Sequence, residues 1–350
     1  MTDISLKNLT KSFNNKLVID SLNLSIKSGE MVALLGPSGC GKTTTLKMLA
    51  GLIKPNSGDI FFKDQSILNI PTEKRGAILV FQDYLLFPHL NVASNISFGL
   101  KMRGCPLNYR RKRVKELLSL VNLEGYENHY PHELSGGQQQ RISLARALAI
   151  NPEVLLLDEP ISNLDANLRE EMRELILEIH SREEMTTIFV THDREEAMLV
   201  ADKIAVMNQG KIEQFGRPEK LYREPVSKFV AEFFGQANYI NGTINGSSFI
   251  FEQGEIPVCA VLSKKIGDGR VTGMIRPEFI KFQTDSFSKE DSDYYLPGEI
   301  KKINFAGERV YYQVQLKDLF FRVTSLYQND FQLGDRITLK IKPENIWFLE

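Results

Sequence analysis

A short apolar run that passes directly into a glycine-rich turn and then a helix constrains this chain more than any other feature. Met31–Leu35 is uniformly apolar, as expected of a strand buried on both faces of a parallel sheet. It is followed by Gly36-Pro37-Ser38-Gly39-Cys40-Gly41-Lys42-Thr43, a full match to G-x-x-x-x-G-K-[ST], and then by a helical stretch from Thr44 to Ala50. The glycines let backbone N–H groups turn inward around phosphates. Lys42 is placed to neutralise β- and γ-phosphates, and the Thr43 hydroxyl to ligate Mg²⁺. Cys40 lies inside the turn, so modification of its thiol is expected to block nucleotide binding.

A second apolar strand is expected at Val154 to Leu157, introduced by Asn151-Pro152 and ending in Asp158 and Glu159. Two carboxylates at the C-terminal end of a buried strand cost free energy unless a metal or a reaction uses them. Just upstream, Ser135-Gly136-Gly137-Gln138 fits a capping box that opens a helix carrying Ile142, Ala145, Leu148 and Ala149. The two glycines leave that helix end bare, and a bare N-terminus suits phosphate. A second phosphate contact is therefore expected here.

Three more positions are candidates with an ordinary alternative. Gln82 ends an apolar run from Ala77 to Phe81 and is either a loop residue or a neutral ligand for a metal or a water. His192 follows the run Thr187 to Val190, on the sheet edge that also carries the glycine turn; it is either structural or in reach of a γ-phosphate. Phe13, in the polar stretch Lys-Ser-Phe-Asn-Asn that reads as a loop after the first strand, either packs or offers a stacking face to a base. Asp193-Arg194-Glu195-Glu196 reads as another capping box.

Between residues 84 and 133 strand runs give way to helix. Val114, Leu117, Leu118 and Val121 recur at i, i+3, i+4, i+7, which reads as a helical insertion of about residues 84–150 between sheet strands. Beyond Gly235 the pattern is one of short strands. Ile275-Arg276-Pro277-Glu278-Phe279-Ile280 resembles Ile341-Lys342-Pro343-Glu344-Asn345-Ile346, and Asn241-Gly242-Thr243-Ile244 answers Pro297-Gly298-Glu299-Ile300. This weak repeat suggests two small barrel units in one β domain, with 284–295 as the loop between them. The expected division is 1–235 and 236–350.

Bulk properties exclude several classes. A net charge of −1 over 350 residues disfavours a general nucleic-acid binder, and residues 236–350 hold 14 Lys and Arg against 15 Asp and Glu, too few cations for a groove that tracks a nucleic-acid backbone. Three scattered cysteines make neither a disulfide framework nor a zinc site, so a reducing compartment is expected. No signal-peptide pattern and no membrane-length apolar stretch is read.

Taken together, these motifs resemble the ATP-binding subunits of ABC transporters, over nearly the whole chain. Leu134-Ser135-Gly136-Gly137-Gln138 is similar to that family's signature sequence. The resemblance implies an α/β P-loop NTPase with a helical subdomain, followed by an all-β, OB-like barrel of TOBE type. It implies that ATP is bound by Phe13 and by Gly36, Pro37, Ser38, Gly39, Cys40, Gly41, Lys42, Thr43 and Thr44. Ser135, Gly136, Gly137, Gln138 and Asp165 would reach the nucleotide of a second copy in a head-to-tail homodimer. Asp158, with Thr43 and Gln82, would hold Mg²⁺; Glu159 would be the general base, and His192, Lys42 and Gln82 its catalytic partners.

The match is closer to importer subunits of the maltose, polyamine, ferric-iron and sulfate type, through Phe87-Pro88-His89-Leu90 and Thr191-His192-Asp193-Arg194-Glu195-Glu196-Ala197. Two integral membrane permease subunits, an indirect extracytoplasmic solute-binding protein, and a place on the cytoplasmic face of the membrane follow from that resemblance. Ferric iron and polyamines are the leading solutes. The rival readings are a soluble ABC ATPase of translation or DNA repair, disfavoured by a single phosphate loop, and a nucleic-acid module.

Overall fold

The computed structural model describes residues 2–83, 85–162, 164–252, 254–257, 268–283, 293–326 and 331–349. The chain falls into two compact units, Met1–Glu219 and Lys220–Glu350.

In the first unit, the described residues form two sheets. One is antiparallel, in the order β2 (Lys16–Ile26), β1 (Ile4–Phe13), β4 (Ser57–Phe62), β5 (Gln65–Ser66). The other runs β10 (Lys211–Gly216), β9 (Lys203–Asn208), β3 (Met31–Leu35), β8 (Thr186–Thr191), β7 (Val154–Asp158), β6 (Ala77–Val80), and is parallel except for the β9–β10 hairpin. Every residue of β3, β7 and β8 is buried, which is why these strands read as unbroken apolar runs and not as alternations. Helix α1 (Lys42–Ala50) contributes Leu46, Met48 and Leu49 to a core shared with Leu6, Leu24 and Ile60 of the antiparallel sheet and Leu34, Leu156 and Ile188 of the parallel one.

The helical block comprises α2 (Val92–Met102), α3 (Leu107–Leu120) and α4 (Gly136–Leu148). On α3 and just past it the predicted stripe of Val114, Leu117, Leu118 and Val121 is buried. Helices α5 (Ala166–Glu183) and α6 (Arg194–Val200) complete the unit, and Met172, Leu175, Ile176 and Ile179 of α5 face inward.

Phe13 departs from the expected loop. Strand β1 continues through it, Phe13 pairs with Lys16, and the turn is made by Asn14 and Asn15 at φ 46° and 64°. Asparagine tolerates that left-handed geometry better than most residues.

In the second unit, the described strands form two antiparallel sheets. Gly254–Pro257, Ser248–Phe251, Asn238–Asn245, Gly269–Ile275 and Trp347–Leu349 make one; Lys281–Phe282, Arg336–Ile341, Tyr294–Ala306, Arg309–Leu316 and Leu319–Leu326 make the other. They share one core through Ile240, Phe249, Ile275, Ile300, Val314, Phe321, Leu339 and Ile346. The repeat noticed in sequence has a structural counterpart. Each of its two Pro-Glu phrases follows a strand and forms a 3₁₀ turn with proline at its start, Pro277–Phe279 and Pro343–Asn345. Most of the loop expected at 284–295 lies outside the described residues.

Helix Lys228–Phe234 belongs with this second unit and not with the segment before Gly235, where the sequence reading put it. Ala231 packs with Met274 and Leu349. Arg276, fully buried, donates to the carbonyls of Tyr222, Ala231 and Gly235 at 2.8–3.2 Å.

Candidate functional site

Because β3, β7 and β8 are neighbours and parallel, their C-terminal ends deliver the glycine turn, Asp158-Glu159 and His192 to one edge of the sheet. Gln82 follows β6 on the same edge. The sheet topology thus brings together four segments that are far apart in sequence.

The glycine turn needs glycine for space as well as for conformation. A Cβ on Gly41, at φ 107°, would lie 2.3 Å from Ile19 Cδ1 and 3.0 Å from the Val18 carbonyl oxygen. Gly41 caps α1 without a side chain, so the helix's first N–H groups stay available to an anion. Lys42, 6% exposed, donates from Nζ to the carbonyls of Gly36 at 2.7 Å and Pro37 at 3.0 Å. Its ammonium therefore lies across the mouth of the turn, where phosphate charge would be neutralised. Cys40 is buried, and burial raises its thiol above the ordinary range against the pull of the nearby Lys42 charge.

Thr43 Oγ1 donates to Asp158 Oδ1 at 2.9 Å. Asp158, 8% exposed, is raised from its usual range by burial first and by the Glu159 charge as well; Thr43, Lys47 and Lys42 pull it back. A buried carboxylate beside a hydroxyl is a hard-oxygen donor pair that fits Mg²⁺. Among the described residues no cluster of three or more His, Cys, Asp or Glu could hold a metal ion. A dication here would take its other ligands from outside such a cluster, from a neutral side chain such as Gln82, from substrate phosphates and from water, as Mg²⁺ commonly does.

Glu159 sits past the strand end at φ 49°, with its N–H bonded to the Val190 carbonyl at 3.1 Å. Its Oε2 is 3.2 Å from His192 Nδ1. Gln82 Nε2 donates to Ser162 Oγ at 3.3 Å, and Ser162 Oγ donates to the Glu159 carbonyl at 3.1 Å. Ser162 therefore ties the glutamine to the segment that holds Glu159.

At the head of α4 the capping box forms reciprocally: Gln138 N donates to Ser135 Oγ at 3.3 Å, and Ser135 N to Gln138 Oε1 at 2.9 Å. A Cβ on Gly136 would meet open space, and one on Gly137 only the Leu168 side chain at ordinary contact distance. Among the described residues no hydrogen bond or ion pair joins Ser135–Gln138 to residues 36–44 of the same chain. Asp165 caps α5 through Leu168 N at 3.0 Å. Phe13 is 42% exposed, with Lys11 Nζ 5.0 Å from its ring centre.

Two residues that the sequence reading passed over shape the segment after Gln82. Asn95 is fully buried; its side chain accepts from Phe87 N and donates to the carbonyls of Phe87, Leu90 and Asn91. Arg146 of α4 donates to the Leu85 carbonyl at 2.9 Å and lies 5.3 Å from the Phe87 ring centre. An asparagine at a helical position opposite Phe-Pro-His-Leu was the available signal, but it looks like any surface polar residue.

The predicted second capping box forms only in part. Asp193 Oδ1 accepts from Glu195 N and Glu196 N, whereas the Glu196 carboxyl turns to Thr191 instead of to Asp193 N.

Comparison with known proteins places the site in context. The family model described as ABC transporter matches residues 19–162, and the TOBE domain model matches 273–349. The chain is 45% identical over 350 residues to a Fe(3+) ions import ATP-binding protein of Pectobacterium atrosepticum, covering 99% of this chain and 96% of that one. It is 39% identical over 347 residues to a spermidine/putrescine import ATP-binding protein of Acetivibrio thermocellus, again covering 99% and 96%. A solved dimeric ATP-binding cassette in a post-hydrolysis state, bound to ADP and Pi, superimposes with a TM-score of 0.56 at 33% identity, over 61% of this chain and 98% of that one.

Proposed function

The chain belongs to the ATP-binding subunits of ABC transporters, in the branch that carries a C-terminal TOBE domain, and we propose that it energises the import of ferric iron. It binds ATP and is an ATPase that drives import. The observation that carries the solute is the end-to-end similarity to a ferric-iron import subunit, which spans the ATPase and the β domain alike. A polyamine is the second reading, supported by a similarity of the same extent at lower identity. Uptake of radiolabelled ferric iron and spermidine, in cells with and without this chain, separates them. Loss of iron uptake alone is the expected result; loss of spermidine uptake alone replaces the solute.

The geometry supports the following division of labour. The turn from Gly36 to Thr44 binds the triphosphate through its N–H groups, and Phe13 offers its exposed face to the base. Mg²⁺ held at Thr43 and Asp158, with Gln82 at its side, would neutralise charge on the β- and γ-phosphates. Glu159 accepts a proton from the attacking water. Lys42 and His192 stabilise the charge spread over the transferring group. Ser135, Gly136, Gly137 and Gln138 present a bare helix end with no bond to their own phosphate turn, which suits a nucleotide held by a second copy; Asp165 lies in the loop that would cross to it. ATP then closes a homodimer and hydrolysis releases it. The first compact unit would be the working ATPase module and the second, which takes in helix Lys228–Phe234, a regulatory one.

Two permease subunits are the partners that turn this closure into transport, docking on the helical block near Gln82, with an extracytoplasmic solute-binding protein acting through them. No helix among the described residues is long and apolar enough to cross a membrane, which fits a subunit bound to the cytoplasmic face through those permeases. Co-purification of the tagged chain with a polytopic membrane protein tests this; recovery with ribosomes or nucleic acid instead would favour a non-transport ATPase.

A further inference from the structure

Beside the hydrolytic pair, the end of β8 carries a buried hydrogen-bonded chain. Glu196 lies in the first turn of α6 and is 8% exposed, and Thr191 is 2% exposed. A carboxyl buried this deeply is costly unless it is held to a partner. Thr191 Oγ1 donates to Glu196 Oε2 at 2.7 Å, and the same Oγ1 accepts from Asp193 N at 3.0 Å. His192 is the single residue between Thr191 and Asp193. The chain from Asp193 N through Thr191 to Glu196 therefore clamps both sides of the turn that presents His192 Nδ1 to Glu159 Oε2 at 3.2 Å. Helix capping does not explain this carboxyl, because Asp193 alone caps α6.

We propose that Glu196 is a positioning residue for ATP hydrolysis: acting through Thr191, it fixes the turn that aims His192 at Glu159. This rests on the reading of Glu159 and His192 as the hydrolytic pair.

The protonation state of Glu196 belongs to the same device. Burial is the main cause that pushes it up to about 7; the charges of Asp193, at the head of its own helix, and Glu159, past β7, add to this, while the Thr191 hydrogen bond and Arg169 of α5 oppose it. An ionised carboxylate only accepts, so it keeps the Thr191 hydroxyl proton pointed at itself and leaves the Thr191 lone pairs to Asp193 N–H. A protonated carboxyl brings its own donor into that contact, and the chain loses its single direction. A rise of kcat across neutral pH is therefore expected, with ionisation of Glu196 contributing to it.

The test uses the purified full-length chain, with kcat and KM for MgATP measured across neutral pH and a thermal melt of every variant. Thr191→Val and Glu196→Ala each lower kcat roughly tenfold with KM changed less than about twofold, because a displaced catalytic group costs rate and not binding. Their double variant is no worse than either alone, and Thr191→Ser restores the rate. Glu196→Gln keeps an acceptor in place, so kcat stays within about threefold while the neutral-pH rise flattens. The proposal is overturned if Thr191→Val keeps wild-type kcat while His192→Ala loses it. Additive losses, parallel rises in KM, or a Glu196→Gln profile that coincides with the wild type overturn it as well. Should Glu196→Ala fail to fold, the Thr191→Val and Thr191→Ser pair decides. Wild-type turnover in His192→Ala would remove the hydrolytic pair itself, and this proposal with it.

Discussion

Glu159 Oε2 lies 3.2 Å from His192 Nδ1, although the two residues are 33 positions apart in sequence. Parallel register brings them together: Asp158 pairs with Val190, so the residues just past each strand end are neighbours. Glu159 reaches this position in a left-handed backbone conformation, which costs a non-glycine residue on the order of 1 kcal/mol. Strain at a residue that faces a sheet edge is expected where geometry serves chemistry.

Glu159→Gln follows directly. It keeps the volume and hydrogen-bonding reach of the side chain and removes the proposed base. Single-turnover hydrolysis should slow by roughly a hundredfold or more, with ATP binding retained. Wild-type turnover in this variant would remove Glu159 from the role of base.

Gly41→Ala tests the phosphate turn. The new methyl would meet Ile19 Cδ1 at 2.3 Å, in a backbone geometry with φ 107°. The expected result is a lower melting temperature, by an amount equivalent to about 1–3 kcal/mol, and loss of ATP affinity by titration. Unchanged ATP affinity would mean that the turn does not grip the triphosphate.

Glu196→Gln makes a separate prediction about stability. Burial raises the folded-state pKa of this carboxyl from 4.5 to about 7. Below the unfolded value both states are protonated and nothing is lost. As pH rises from there, the unfolded chain gives up its proton first, so the wild type loses stability until the folded pKa is passed. Glutamine has no such loss. The variant should match the wild type at acid pH and exceed it above neutrality by up to about 3 kcal/mol, measured by denaturant unfolding at several pH values. A wild type that is the more stable partner at alkaline pH would contradict this.

Arg276→Ala concerns the second unit. The guanidinium lies 4.2 Å from the Tyr222 ring centre and satisfies the carbonyls of Tyr222, Ala231 and Gly235. Its removal leaves buried acceptors unpaired and should destabilise the unit by about 3 kcal/mol or more. Lysine should rescue only partly, because an ammonium lacks the planar fork. Limited proteolysis between 220 and 236 reads the result; an unchanged digestion pattern would show that the clamp is dispensable.

The site was legible in sequence wherever one residue type has few other uses. Glycines at fixed spacing before Lys42-Thr43, and acids closing the run Val154 to Leu157, stand out because neither belongs in an ordinary strand or helix. Contacts that depend on tertiary direction were not legible. Ser162 is one polar loop residue among several until Gln82 is placed opposite it. Glu196 satisfies the Asp-x-x-Glu pattern of a capping box, and only the position of Thr191 shows which way its carboxyl turns. In the β domain, strand Tyr294–Ala306 was not read as such: its start was given to the loop 284–295, and Pro297-Gly298-Glu299-Ile300 was noticed only as an answer to the Asn241 phrase. Within the sheet those residues face Thr338 and Ile337, and a Cβ on Gly298 would come within 2.6 Å of Val314 Cγ1. Close approach, not a bend, is the reason for that glycine. Phe13 was placed in a loop because Asn14-Asn15 looked like its continuation, whereas they are the turn that ends the strand.

The central claim is that each ATP is held by the phosphate turn of one copy and the Ser135 helix end of the other. It is tested most directly by mixing two inactive chains, Lys42→Ala and Ser135→Arg, and measuring ATP hydrolysis by the mixture. In a mixed dimer, one site pairs an intact phosphate turn with an intact helix end, so hydrolysis that neither variant shows alone should appear. A mixture that forms dimers yet stays as inactive as its components, or a Ser135→Arg chain that is fully active by itself, would contradict the account.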